Sequence, residues 1–287
     1  MRYNSDMIPP LIPLAHGGLL LLNVFIVSGW LIFSFLFWLW LRRFAVEEDR
    51  IFDLTFFATG VAFIFARLGY VFLHREFFVD KSLLLVAAIW VSPGLSWIVG
   101  MIGGVMTVVL MSRQYKVRLG LVLDALAAAL PLPLIIGKLG SFIIGIEPGK
   151  IGTLPFGAHI GNWPVNFRHP VALYEAFSFI VISFIIFRLM KLSVLSKWAY
   201  GIVGVWFFLL YSISSFVLEF FKDSRVYWGN LTANQWMLIG IFAECVGVLY
   251  VRGGGREFFR PYVHKITIFI GEKGKYIHES ISRRHTR

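Results

Sequence analysis

Arg67, Lys138, His169, Tyr174, Glu175 and Glu219 could do chemistry, and each is set in sequence that is otherwise strongly apolar. Lys138 stands in GKLGSFIIGIEPG (137–149), directly after the run LGLVLDALAAALPLPLII. A lysine at the centre of a bilayer costs about 2.5–3.5 kcal/mol on insertion scales, so it needs a partner or a task. Two arrangements would supply one. The cations could neutralise the carboxylates and hold helices together. Alternatively, a cation could bind a phosphate while a carboxylate or imidazole moves a proton. Choosing between them requires the elements that carry these residues.

Those elements are membrane spans. Of the 287 residues, 58% are hydrophobic, 17% aromatic and only 15% charged. Soluble domains sit nearer 45–50% apolar and about 25% charged, so the composition indicates an all-α integral membrane protein. Seven runs have spanning length, roughly 18–41, 51–73, 83–111, 119–146, 170–190, 199–221 and 235–251. Pro93 and Gly94 are expected to break the third into a short arm and a helix. The first run is long enough to remain as a span, so no cleavable leader is expected.

The net charge of +11 reflects topology and not nucleic-acid binding, because the basic residues lie between spans. Eighteen of the 27 Lys and Arg fall in one set of loops and the tail after residue 251, and seven fall on the other side. The positive-inside rule then puts the N-terminus outside and the C-terminus in the cytoplasm. Residues 1–252 form the expected transmembrane domain, with an outer loop at about 147–169. Residues 253–287 form a basic cytoplasmic tail suited to an anionic leaflet. The single cysteine, Cys245, excludes an internal disulfide and reads as a packing residue.

Depth follows from about 1.5 Å of rise per residue across a core of about 30 Å. On that scale Arg67, Lys138, Glu175 and Glu219 share the outer half, with His169 and Tyr174 at the same level. Asp53 and Asp124 fall near the inner face as capping or interfacial residues, and Glu244 nearer the middle. Glycines 137, 140, 145 and 149 would let backbone approach a ligand or a neighbouring helix. His16 lies near the outer end of the first span. Trp90, Trp97, Trp163, Trp228 and Trp236 read as interface anchors.

The string GKLGSFIIGIEPGK, followed after a loop by RHPVALYE (168–175), resembles the signature of bacterial prolipoprotein diacylglyceryl transferases. That signature reads G-R-x-G-N-F-x-N-G-E, a further G-R, then R-H-P-x-x-L-Y-E. ARLGYVF (66–72) is similar to the family's G-R-x-G-Y, and LLYSISSFVLEFFKD (209–223) to its Y-G-x-x-R-F-x-x-E-F-F-R. Order, spacing and span number agree over about residues 12–255. At the signature positions this chain has Lys138 for arginine, Ser141 for asparagine and Ser215 for a second arginine. Ile98 stands where a histidine is expected, and Gly17 or Gly18 replaces a tyrosine.

The resemblance implies a multi-pass protein of the bacterial cytoplasmic membrane. It would move the diacylglyceryl group of phosphatidylglycerol to the lipobox cysteine thiol of a prolipoprotein, with glycerol phosphate leaving. Lys138, His169 and Glu219 would be catalytic. Arg67, Gly69, Tyr70, Gly137, Gly140, Ser141, Gly149, Tyr174 and Glu175 would bind substrate. No cofactor or metal is expected, and the partners would be phosphatidylglycerol, the prolipoprotein signal peptide and membrane lipids. One alternative is a non-catalytic family member that binds lipid or precursor peptide in the same cavity. Another is a transporter or unrelated scaffold, although neither paired broken helices nor internal symmetry is visible.

Overall fold

The computed structural model describes residues 15–79, 82, 94–145, 149–151, 168–223, 227–252, 254 and 257, with side chains from residue 23 onward. The arm expected at 83–93 lies outside them, as do most of the loop at 147–169, Trp90, Trp163 and nearly all of the tail. Eight α-helices are described: α1 Ala15–Arg42, α2 Glu48–Leu73, α3 Trp97–Gln114, α4 Leu119–Ala129, α5 Pro131–Ile144, α6 Val171–Leu195, α7 Ile202–Glu219 and α8 Ala233–Arg252. A two-stranded hairpin, β1 Tyr227–Trp228 and β2 Leu231–Thr232, precedes α8.

With α4 and α5 taken as one span, seven helical segments among the described residues are long and apolar enough to cross a membrane. The fourth, expected at 119–146, runs Leu119–Ile144 with a break at Leu130. Pro131 and Pro133 each lack the N–H that would reach back four residues, so two helical bonds within one turn are lost. Leu130 keeps helical angles and bonds to Leu126 O, so the break is a kink and not a loop. Gly145, in the left-handed conformation at φ 74°, ends α5 by donating to Ser141 O and Phe142 O.

The chain divides into two compact units, Met1–Cys245 and Val246–Arg287. Within the first, α2 packs on α3, α5 on α1 and α6, and α7 on α4 and α6. Gly100 makes the α2–α3 contact close, since a Cβ there would lie 2.8 Å from Ala66 Cβ and 3.0 Å from Ala62 O. Phe37, Leu41, Ile51, Leu54, Val108, Val122, Ala125, Leu126 and Ala129 form a buried apolar cluster where α1 and α3 end and α2 and α4 begin. Outward-facing Phe52, Phe56, Phe63, Phe184 and Phe187 are exposed, as lipid-facing side chains are.

Asp124 works at this same end. Its two carboxylate oxygens accept the backbone N–H groups of Gly201 (2.8 Å) and Gly204 (2.9 Å), so it caps the start of α7 from a neighbouring helix. Asp124→Leu should cost about 2–4 kcal/mol, because two buried N–H groups lose their acceptors together. Detergent melting temperatures would show it; an unchanged value would mean that water replaces the carboxylate.

Candidate functional site

The polar residues gather at the opposite end from this apolar cluster. Alternating helix direction brings there the last turns of α2, α5 and α7 and the first turns of α3, α6 and α8. Glu175 is one turn into α6 and 3% exposed; Glu219 is the last residue of α7 and 4% exposed. Charges so enclosed must be paired. Lys138 Nζ from α5 lies 2.6 Å from Glu175 Oε2, and Lys222 Nζ lies 2.8 Å from Glu175 Oε1. Lys222 also reaches Glu219 Oε2 at 3.4 Å, one helical turn back. Four alternating charges therefore join three elements: α5, α6 and the end of α7.

The second oxygen of Glu219 is held by α8. Its Oε1 accepts from Asn234 Nδ2 at 3.0 Å and from the Thr232 hydroxyl at 3.3 Å. Thr232 and Gln235 form a reciprocal capping box: each backbone N–H donates to the other's side-chain oxygen, at 2.9 and 3.2 Å. Because the Thr232 oxygen accepts from Gln235 N–H, its hydroxyl proton is left to point at Glu219. The sequence TANQ that starts α8 thereby also fixes a carboxylate at the end of α7.

A short backbone frame carries His169. Gly149 and Ile151 pair with Lys222 and Arg168 respectively, Lys150 N–H donates to Phe221 O at 2.8 Å, and His169 N–H donates to Lys150 O at 3.1 Å. Arg168 ties the frame to itself through Gly149 O (2.9 Å) and Asp223 (3.1 Å). The His169 ring meets Phe221 and Tyr174 edge to face, at centroid distances of 5.3 and 6.3 Å. Both partners adjoin the charged group, Phe221 being next to Lys222 and Tyr174 next to Glu175.

Arg67 occupies a distinct niche at the same end. It is 6% exposed, donates to Gly94 O at 3.1 Å and lies over the rings of Phe78 and Tyr70 at 5.5 and 5.9 Å. Tyr70 packs against Gly94, where any Cβ would overlap the ring. Trp97 donates its indole N–H to the Tyr211 hydroxyl at 2.9 Å, linking α3 to α7 at this level. Ile98, at the signature histidine position, is 6% exposed, and Ser215 is likewise buried.

Among the glycines, Gly69 and Gly140 lie at helix contacts: a Cβ would meet Val99 at 2.5 Å and the Phe25 ring at 2.7 Å. Gly137 has no atom within 4 Å of that position, and Ser141 accepts the Gly145 cap through its carbonyl. Lys222, Asn234 and Thr232 were missed as site residues. By sequence Lys222 is one of the seven Lys and Arg on the outer side, although its i+3 spacing from Glu219 marks it as that carboxylate's neighbour. No group of three metal-ligating side chains occurs among the described residues.

Two lysines and two carboxylates enclosed at one end of a seven-span bundle define a polytopic membrane protein with a charged site at a helix-end level. Motif order then gives the family. The profile of prolipoprotein diacylglyceryl transferases matches residues 18–251, and the chain belongs to that family. It is similar to the phosphatidylglycerol–prolipoprotein diacylglyceryl transferase of Wolbachia sp. subsp. Brugia malayi, at 28% identity over 71% of this chain and 81% of that protein. Proteins of the same name from Geobacter sulfurreducens and Beijerinckia indica are each 30% identical. The first covers 66% of this chain and 72% of the relative, the second 74% and 78%.

Proposed function

We propose that the protein transfers the diacylglyceryl group of phosphatidylglycerol to the lipobox cysteine of prolipoproteins. The supporting observation is the enclosed Lys138–Glu175–Lys222–Glu219 group in a chain of this family. In the reaction, the cysteine thiol gives its proton to His169 or Glu219. The thiolate attacks the glyceryl carbon that bears the phosphate, a C–S bond forms and the C–O bond breaks. Glycerol phosphate leaves with the electron pair. Lys138 offsets the charge on the leaving phosphate, and the protein supplies no nucleophile of its own. Arg67, with Tyr70 stacked beside it, borders the lipid on the α2 side.

The test is mass spectrometry of a lipobox peptide incubated with the purified protein and phosphatidylglycerol. The expected result is a peptide heavier by one diacylglyceryl group, absent when phosphatidylcholine is the only lipid. A second reading draws on Ile98, which leaves no titratable group at the signature histidine position. On that reading the protein binds lipid or precursor without turnover, and the assay would show lipid retention with no mass shift.

Orientation belongs to the same proposal. The site faces the outer leaflet, where the lipobox emerges, and the basic loops and residues 253–287 face the cytoplasm. A reporter fused after Arg287 should therefore read as cytoplasmic. A periplasmic signal would put the site on the wrong side for translocated precursors.

A further inference from the structure

Glu175 does more than balance a charge. Each of its oxygens is taken by a different lysine, Lys138 at 2.6 Å and Lys222 at 2.8 Å. A bound phosphodiester would engage two such cations in the same way, through two anionic oxygens. The two ends are not equivalent. Oε2 has an ion-pair partner in Lys138 but no aligned hydrogen bond, although Glu175 is more than nine-tenths buried. Exposure does not separate the lysines, whose side chains are 19% (Lys138) and 21% (Lys222) exposed against 4% for the carboxylate. Both lysines, and not the acid, reach the open side, and the missing hydrogen bond at Oε2 marks Lys138 as the one more readily given up. The four charges of the group also sum to zero, so an incoming anion must compete for a lysine already engaged.

We infer that Glu175 is a resident anion holding Lys138 until lipid arrives, and that the phosphodiester takes Lys138 from it. Glu175 keeps Lys222 on Oε1 through the exchange, so no carboxylate is stranded. Lipid affinity is thereby set by competition within the protein. The identity of the anion as phosphatidylglycerol rests on the function proposed above; the exchange itself requires only a phosphate ester.

Purified wild type, Glu175→Gln, Glu175→Asp and Lys138→Met/Glu175→Gln should be titrated by calorimetry with short-chain phosphatidylglycerol, short-chain phosphatidylcholine and glycerol phosphate. Glu175→Gln should bind phosphatidylglycerol about tenfold more tightly, the gain expected when one charge-assisted contact no longer competes. The double variant should lose that gain, and phosphatidylcholine should bind more weakly throughout. A folded Glu175→Gln that binds no more tightly than wild type overturns the inference. If Glu175→Gln does not fold, Glu175→Asp decides, since its shorter side chain reaches Lys138 less well; unchanged affinity there also overturns it. A gain confined to glycerol phosphate would keep the exchange and remove the lipid as its ligand. Tighter binding without peptide modification would overturn the transfer reaction alone, and modification without tighter binding the exchange alone.

Discussion

Gly149→Ala should abolish lipid binding and transfer and destabilise the protein by about 3 kcal/mol, the upper end of the usual range for overpacking. The added methyl would sit against the His169 carbonyl oxygen, with His169 Cβ at 2.8 Å and a Val171 methyl at 2.9 Å. Backbone cannot rotate away as a side chain can, so the frame of Gly149, Lys150, Arg168 and His169 must open. Opening it loses the Lys150–Phe221 and His169–Lys150 bonds and releases the chain that holds His169 beside Phe221. Gly137→Ala is the control: a Cβ there meets nothing within 4 Å, so helix stability should not fall. Thermal melting and lipid titration of both variants check this. A Gly149→Ala protein with wild-type melting and binding would show that the frame is not needed.

The spans were legible because a bilayer demands about 20 apolar residues wherever the chain crosses it. That demand says nothing about kinks. Pro131 and Pro133 sit inside a span that is apolar as a whole, and a helix in lipid tolerates the bonds they remove when neighbours enclose it. Depth counting set Lys138, Glu175 and Glu219 at one level, because alternating direction turns sequence position into height. It could not give azimuth. Lys222 shares that height yet was counted as a loop charge, and only the end of α7 shows it turned inward onto Glu175. The glycines carried the least information. Gly69 and Gly140 meet neighbouring helices, Gly149 a strand-like frame and Gly137 open space, all under one residue type. Asp124 was recognisable as a cap, but the helix it caps is 77 residues further on.

Lys138 is expected to serve two partners, Glu175 and the lipid phosphate, and the two roles can be measured apart. If Lys138 served Glu175 alone, Lys138→Met would cost about 3–5 kcal/mol, as for a buried charge that loses its partner. Glu175 retains Lys222 at 2.8 Å, so the structure sets the expected cost at the low end, about 3 kcal/mol. Lys138→Met/Glu175→Gln should regain most of that stability, since the half-satisfied carboxylate goes with the lysine. Lipid binding should behave differently: both variants lack the cation, so both should bind phosphatidylglycerol at least about tenfold more weakly than wild type, the worth of roughly 1.4 kcal/mol. Lys138→Arg should keep the fold and retain or raise binding, because a guanidinium can grip Glu175 and a phosphate oxygen through separate N–H groups. Melting temperature and lipid titration across the three variants separate the roles. Restored stability with restored binding in the double variant would assign Lys138 to the carboxylate alone, and restored stability without binding assigns it to both.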